Sequence, residues 1–138
     1  MNMISRLAAV SLAAALAAGC EGTSPTTPSS LFTTETFSGT VGKGALTFHS
    51  FQTGVTAPVI IRLTSFNPSN LTMGLALGTP ANASGLNVCS ITIGQAPVVQ
   101  GSEFQVELPA STYCVAIFDA GQVPEATTVA YSLTIQHK

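Results

Sequence analysis

The sequence predicts an all-β protein: an antiparallel β-sandwich, jelly-roll-like, of about eight or nine strands. Three observations carry that expectation. Runs rich in Val, Ile, Thr and Phe alternate apolar and polar side chains at period two, the pattern of half-buried strands. Gly, Pro and Asn clusters break these runs about every 8–14 residues, the spacing of sandwich and jelly-roll strands. Beyond residue 31 no stretch sustains a capped 3.6-residue period, so no helix is expected there.

The first strand is expected over residues 32–41. It ends at Gly42-Lys43-Gly44, a turn whose glycines accept positive φ. The second, 45–52, sets Leu46 and Phe48 on one face and Thr47, His49 and Phe51 on the other, which leaves one phenylalanine outside the core. Residues 58–66 carry the β-branched Val59, Ile60 and Ile61, closed by the turn Asn67-Pro68-Ser69-Asn70. Residues 71–77 alternate Leu71, Met73, Leu75 and Leu77 against Thr72, Gly74 and Ala76. Gly78-Thr79-Pro80 reads as the end of that strand, and residues 81–85 as a polar loop. A fifth strand covers 86–93. Phe104, Val106 and Leu108 mark a sixth, with Gln105 and Glu107 facing out. Residues 112–118 and 128–136 complete the set.

The chain has 138 residues and only 7% charged side chains, against about 25% in ordinary soluble domains. Residues 31–138 suffice for one β-sandwich core. Lys43, Arg62 and Lys138 are the basic residues of this part, and no run of either sign occurs. A nucleic-acid face needs clustered Lys and Arg, so nucleic-acid binding is excluded as a function class. An electrostatic membrane contact lacks its basic patch as well.

Residues 1–30 read differently. Met1 to Arg6 is a short segment with one positive charge, and Leu7 to Leu16 is an Ala/Leu/Val-rich run. That run is too short for a permanent membrane span. With Leu16-Ala17-Ala18-Gly19-Cys20 behind it, the segment resembles a bacterial lipoprotein signal and its lipobox. The leucine most lipoboxes carry three residues before the cysteine sits one position earlier here, at Leu16. An ordinary signal-peptidase site near Ala15-Leu16-Ala17 is the competing reading. The resemblance implies a removed signal at 1–19 and lipid attachment at Cys20. Residues 21–30 hold no apolar side chain, so 20–30 is expected to be a flexible tether reaching roughly 20 Å. Glu21 stands where enterobacterial inner-membrane retention signals carry aspartate, so the resemblance points to the outer membrane, facing the periplasm or the cell surface. Lipid on Cys20 would leave Cys89 and Cys114 as a pair, and an exported protein favours joining them. Such a bridge closes a loop of about 26 residues, worth roughly 3–4 kcal/mol in the chain-entropy account. Two buried free thiols are the alternative.

Two C-terminal segments carry a second resemblance. Leu108-Pro109-Ala110-Ser111-Thr112-Tyr113-Cys114-Val115-Ala116-Ile117-Phe118-Asp119, followed by Tyr131-Ser132-Leu133-Thr134-Ile135, resembles the end of bacterial pre-peptidase C-terminal domains. Glu35-Thr36-Phe37-Ser38-Gly39-Thr40-Val41 is similar to that family's opening strand, and Leu75-Ala76-Leu77-Gly78-Thr79-Pro80 to its middle. The resemblance spans roughly residues 34–136. It implies a jelly-roll sandwich, usually appended to a secreted enzyme, with binding or secretion-related roles and, in some members, calcium on clustered acidic residues. No catalytic domain is expected within these residues, and acidic residues are few.

The residues themselves offer little reactive chemistry. His49 and His137 have no second ligand at i+2 or i+4, so no metal site and no cofactor are expected. His49 reads as a surface or rim residue. Asp119, near Gly121 and Glu125, is a candidate weak calcium loop by family analogy, with a solvated turn as the plainer reading. Glu103 and Glu107 share a strand face roughly 13 Å apart, wider than glycosidase carboxylate pairs. No Gly-x-Ser-x-Gly occurs, and no catalytic residue is assigned. The expected function is a non-enzymatic, membrane-tethered lipoprotein module acting by binding or surface assembly. Its expected partners are the membrane, through Cys20, and a cell-envelope protein or polysaccharide. The alternative is an accessory domain or small hydrolase of the envelope whose site is too dispersed to recognise.

Overall fold

The computed structural model of the chain describes residues 31–138; the expected signal segment 1–19, the tether 20–30 and Cys20 lie outside the described residues. Eight strands and no helix make up the described part: β1 (Thr33–Gly42), β2 (Leu46–Thr53), β3 (Ala57–Asn67), β4 (Met73–Ala83), β5 (Leu86–Val98), β6 (Glu103–Leu108), β7 (Ser111–Asp119) and β8 (Thr128–His137). They form two four-stranded sheets, a front sheet ordered β1-β8-β3-β6 and a back sheet ordered β2-β7-β4-β5.

The pairing shows how the chain is rolled. β1 pairs with β8, β2 with β7, β3 with β6 and β4 with β5, all antiparallel. Each pair nests inside the one before it, as in a long hairpin whose tip lies between β4 and β5. Coiling that hairpin adds the pairings β3–β8 and β4–β7 and yields the eight-stranded jelly roll.

Period-two alternation fills the space between the sheets. Val59, Ile61 and Leu63 of β3 and Val129, Tyr131, Leu133 and Ile135 of β8 are buried from the front. Met73, Leu75 and Leu77 of β4, with Val115 and Ile117 of β7, meet them from the back. An extra residue at Thr64 shifts β3 by one place against β8. The bulge restores Phe66 to the inside, where it is buried opposite Tyr131. Gly39 is a spatial necessity: a Cβ there would stand 2.7 Å from the Tyr131 hydroxyl.

Several expectations need correction. β4 does not stop at Gly78-Thr79-Pro80 but continues to Ala83, and β5 runs to Val98 rather than Ile93. The polar loop at 81–85 shrinks to the two-residue turn Ser84-Gly85, both at positive φ (52° and 80°), the type I′ geometry that matches strand twist. The Asn82 side-chain oxygen accepts the Gly85 N–H at 3.0 Å. Phe51 is the buried member of its pair, and Phe48 lies on the outer face, half-covered. His49 is no rim residue; it points inward, stacked on Phe37 with ring centroids 4.7 Å apart.

Candidate functional site

The two sheets turn different outer faces to their surroundings. On the front sheet, outward positions of neighbouring strands carry Thr34 (β1), Thr134 and Gln136 (β8), Ile60, Arg62 and Thr64 (β3) and Glu103 (β6), which line a depression of about 490 Å3. That volume falls in the range of ligand sites. Strand register builds it, because Arg62 lies opposite both Thr134 and Glu103. The Arg62 guanidinium pairs with the Glu103 carboxylate, its Nε donating at 3.0 Å. Both side chains remain open to water, so the pair adds little to stability. What it supplies is a fork of donors beside an acceptor, with no net charge, among hydroxyls and an amide that donate and accept.

Where β4 meets β7, the back sheet's outer face is apolar and lined with small residues. Gly74, Ala76 and Gly78 of β4 lie beside Phe118, Ala116 and Cys114 of β7. A Cβ at Gly74 would stand 2.1 Å from the Phe118 ring, and one at Gly78 would stand 2.0 Å from the Ser90 carbonyl oxygen. The chain of β5 therefore passes directly over Gly78. An extra residue at Thr92 shifts β5 against β4 at this place, and the crossing brings Cys89 onto Cys114. Their sulfurs are bonded at 2.04 Å. The expected disulfide is present, but Cys114 lies on the outer side of β7, away from the core that Tyr113, Val115 and Ile117 face.

At one end of the interior, Glu35 of β1 and His137 of β8 form a carboxylate–imidazole pair, Oε1 to Nε2 at 2.7 Å. Sequence reading missed it, since the partners are 102 residues apart and meet only through the β1–β8 register. Glu35 opens onto a depression of about 330 Å3 lined also by Ser50, Phe51, Gln52 and Thr112. A carboxylate orients a general base in this way when the second imidazole nitrogen faces a nucleophile. Among the described residues Nδ1 is buried without a hydrogen-bond partner. No serine or threonine of these residues meets it, and the pair ties β1 to β8.

The remaining candidates are structural in geometry. His49 Nε2 and the Tyr131 hydroxyl are hydrogen-bonded at 2.8 Å. Burial lowers the His49 pKa below its usual 6.5 and raises that of Tyr131 above 10. Asp119 uses both carboxylate oxygens on backbone donors. Oδ2 accepts Gly44 N–H at 2.9 Å, and Oδ1 accepts the N–H groups of Gly121, Gln122 and Val123. These bonds, the one from Gly44 first, hold its pKa below the ordinary carboxylate value. Glu125 pairs with Lys43 at 2.8 Å. The two acidic residues of the candidate calcium loop are thus committed elsewhere, and among the described residues no three metal-ligating side chains converge. Glu107 is exposed on β6.

Comparison with protein-family models and with curated proteins returns no match for this chain.

Proposed function

We propose that this protein is a membrane-tethered, non-enzymatic jelly-roll module of a bacterial cell envelope, anchored by lipid on Cys20, which binds a neutral, polyhydroxylated ligand of the polysaccharide class on the outer face of its front sheet. The observation that carries the reading is the depression around Arg62, Glu103, Thr134 and Gln136. Its hydroxyls and amide both donate and accept, and its one ion pair sums to no charge, the complement of sugar hydroxyls. Support for the tether comes from the lipobox-like residues 16–20 and the polar segment that follows. The resemblance to pre-peptidase C-terminal domains agrees with a binding role.

Membrane attachment is tested by lipid-precursor labelling and fractionation of a Cys20→Ala chain. Loss of label and release from the membrane fraction are expected; a variant retained in that fraction contradicts the anchor. Ligand binding is tested by equilibrium titration with neutral envelope polysaccharides, with Arg62→Ala as the disabling change.

A further inference from the structure

We propose that two copies of this chain associate through the β4–β5 ribbon, edge to edge along residues 86–91 of β5. From Leu63 to Ser102 the chain contains no Asp, Glu, Lys, Arg or His, so β4 and β5 are wholly uncharged. β5 is the edge of the back sheet, with β4 as its one neighbour. Its other side therefore presents backbone donors and acceptors that no strand among the described residues meets.

The other edges are guarded. β6 is six residues long, carries Glu103 and Glu107, and is followed by Pro109. β1 has Glu35, and its Thr40 carbonyl already accepts the Thr47 hydroxyl at 3.1 Å. β2 sets His49 inward against Phe37 of β1, and its Thr47 hydroxyl donates to the Thr40 carbonyl of that strand. Along β5 the extra residue at Thr92 and the register shift near Pro97 interrupt the edge beyond Ile91. Residues 86–91 pair with β4 in unbroken register and have no such guard. Leu86 and Ile91 within them are 68% and 47% exposed.

Charge selects the occupant. A charged partner gains nothing from a neutral edge and loses hydration on approach. A lipid surface is held by Lys, Arg, Trp or Tyr at the headgroups, and residues 63–102 contain none of these. A second copy presents an equally neutral, equally long edge. Antiparallel pairing about a twofold axis makes the contact self-complementary and closed, and it satisfies the open backbone groups of both edges at once.

The test uses the full-length exported chain, purified in mild detergent, with its mass read by size exclusion and light scattering after subtraction of the detergent. A concentration-dependent dimer is expected. Leu86→Lys and Ile91→Lys each put on the edge a charge that pairing must strip of water, and each should raise the dimer dissociation constant at least about tenfold. Val55→Lys, equally exposed (52%) but outside the ribbon, should leave it unchanged. Unaltered melting of each variant shows that the fold is intact. A wild-type monomer at every concentration overturns the proposal, as does a dimer indifferent to both ribbon lysines. A monomer that floats with phosphatidylcholine vesicles, and loses that with Leu86→Lys, overturns it in favour of a lipid surface.

Discussion

The outer faces of the front and back sheets differ in what side chains are for. Front-sheet positions are occupied by threonines, glutamine and the Arg62–Glu103 pair, side chains that stand up from the sheet and make its hydrogen-bonding relief. Back-sheet positions are occupied by Gly74, Ala76, Gly78, Ala116 and Cys114, residues whose lack of bulk lets other parts of the molecule lie on them. Phe118 covers Gly74 and the backbone of β5 covers Gly78. One face stands open to solvent with its polar side chains upright; the other is covered in part by the chain itself. Substitutions should therefore separate the faces, with stability lost on the back and recognition lost on the front.

The largest expected effect is loss of the Cys89–Cys114 bridge. Cys89→Ser with Cys114→Ser should lower unfolding free energy by about 3–4 kcal/mol in denaturant titrations, and limited proteolysis should then cut first in the β4–β5 ribbon. Next comes Gly78→Ala. Its new Cβ meets backbone and not a yielding side chain, so a cost of about 1–3 kcal/mol is expected, measured the same way. A smaller effect comes from pH. The folded state holds His49 less readily protonated than the unfolded chain does, so its contribution is whole above about pH 6.5 and fades as pH falls through that value. Asp119, lowered by its backbone donors, adds a second loss below its ordinary value near 3.8. The urea midpoint should fall between pH 7.5 and pH 5, and His49→Gln should flatten that slope. On the front face, Arg62→Ala should change stability by within about 0.5 kcal/mol. An equal cost on both faces would break the contrast.

Much of this fold was legible in the sequence. Period-two runs and the turns between them located all eight strands. All but β5, which is exposed along most of its length, have one face in a single core. The disulfide pair was expected because the lipoprotein resemblance set Cys20 apart from the other two cysteines, and Cys89 and Cys114 are bonded. Strand ends were less legible: Gly78-Thr79-Pro80 reads as a terminator, yet β4 loses its β7 partner after Gly78 and a proline is tolerated where a strand side is unpaired. Alternation also sets Gly74 and Ala76 on the face opposite Leu75 and Leu77, without revealing that Phe118 covers Gly74 and the β5 backbone covers Gly78. The front-face depression was not legible at all. Arg62 and Glu103 are 41 residues apart, and only the β3–β6 register joins them.

The central claim is that the front face binds a neutral polysaccharide. Its most direct test is equilibrium titration of the full-length chain, Arg62→Ala and Leu86→Lys against neutral and anionic envelope polysaccharides. The account predicts saturable binding of a neutral polymer, weakened at least about tenfold, or ~1.4 kcal/mol, by Arg62→Ala and unaffected by Leu86→Lys. Absence of neutral-polymer binding, or binding indifferent to Arg62→Ala, would contradict it.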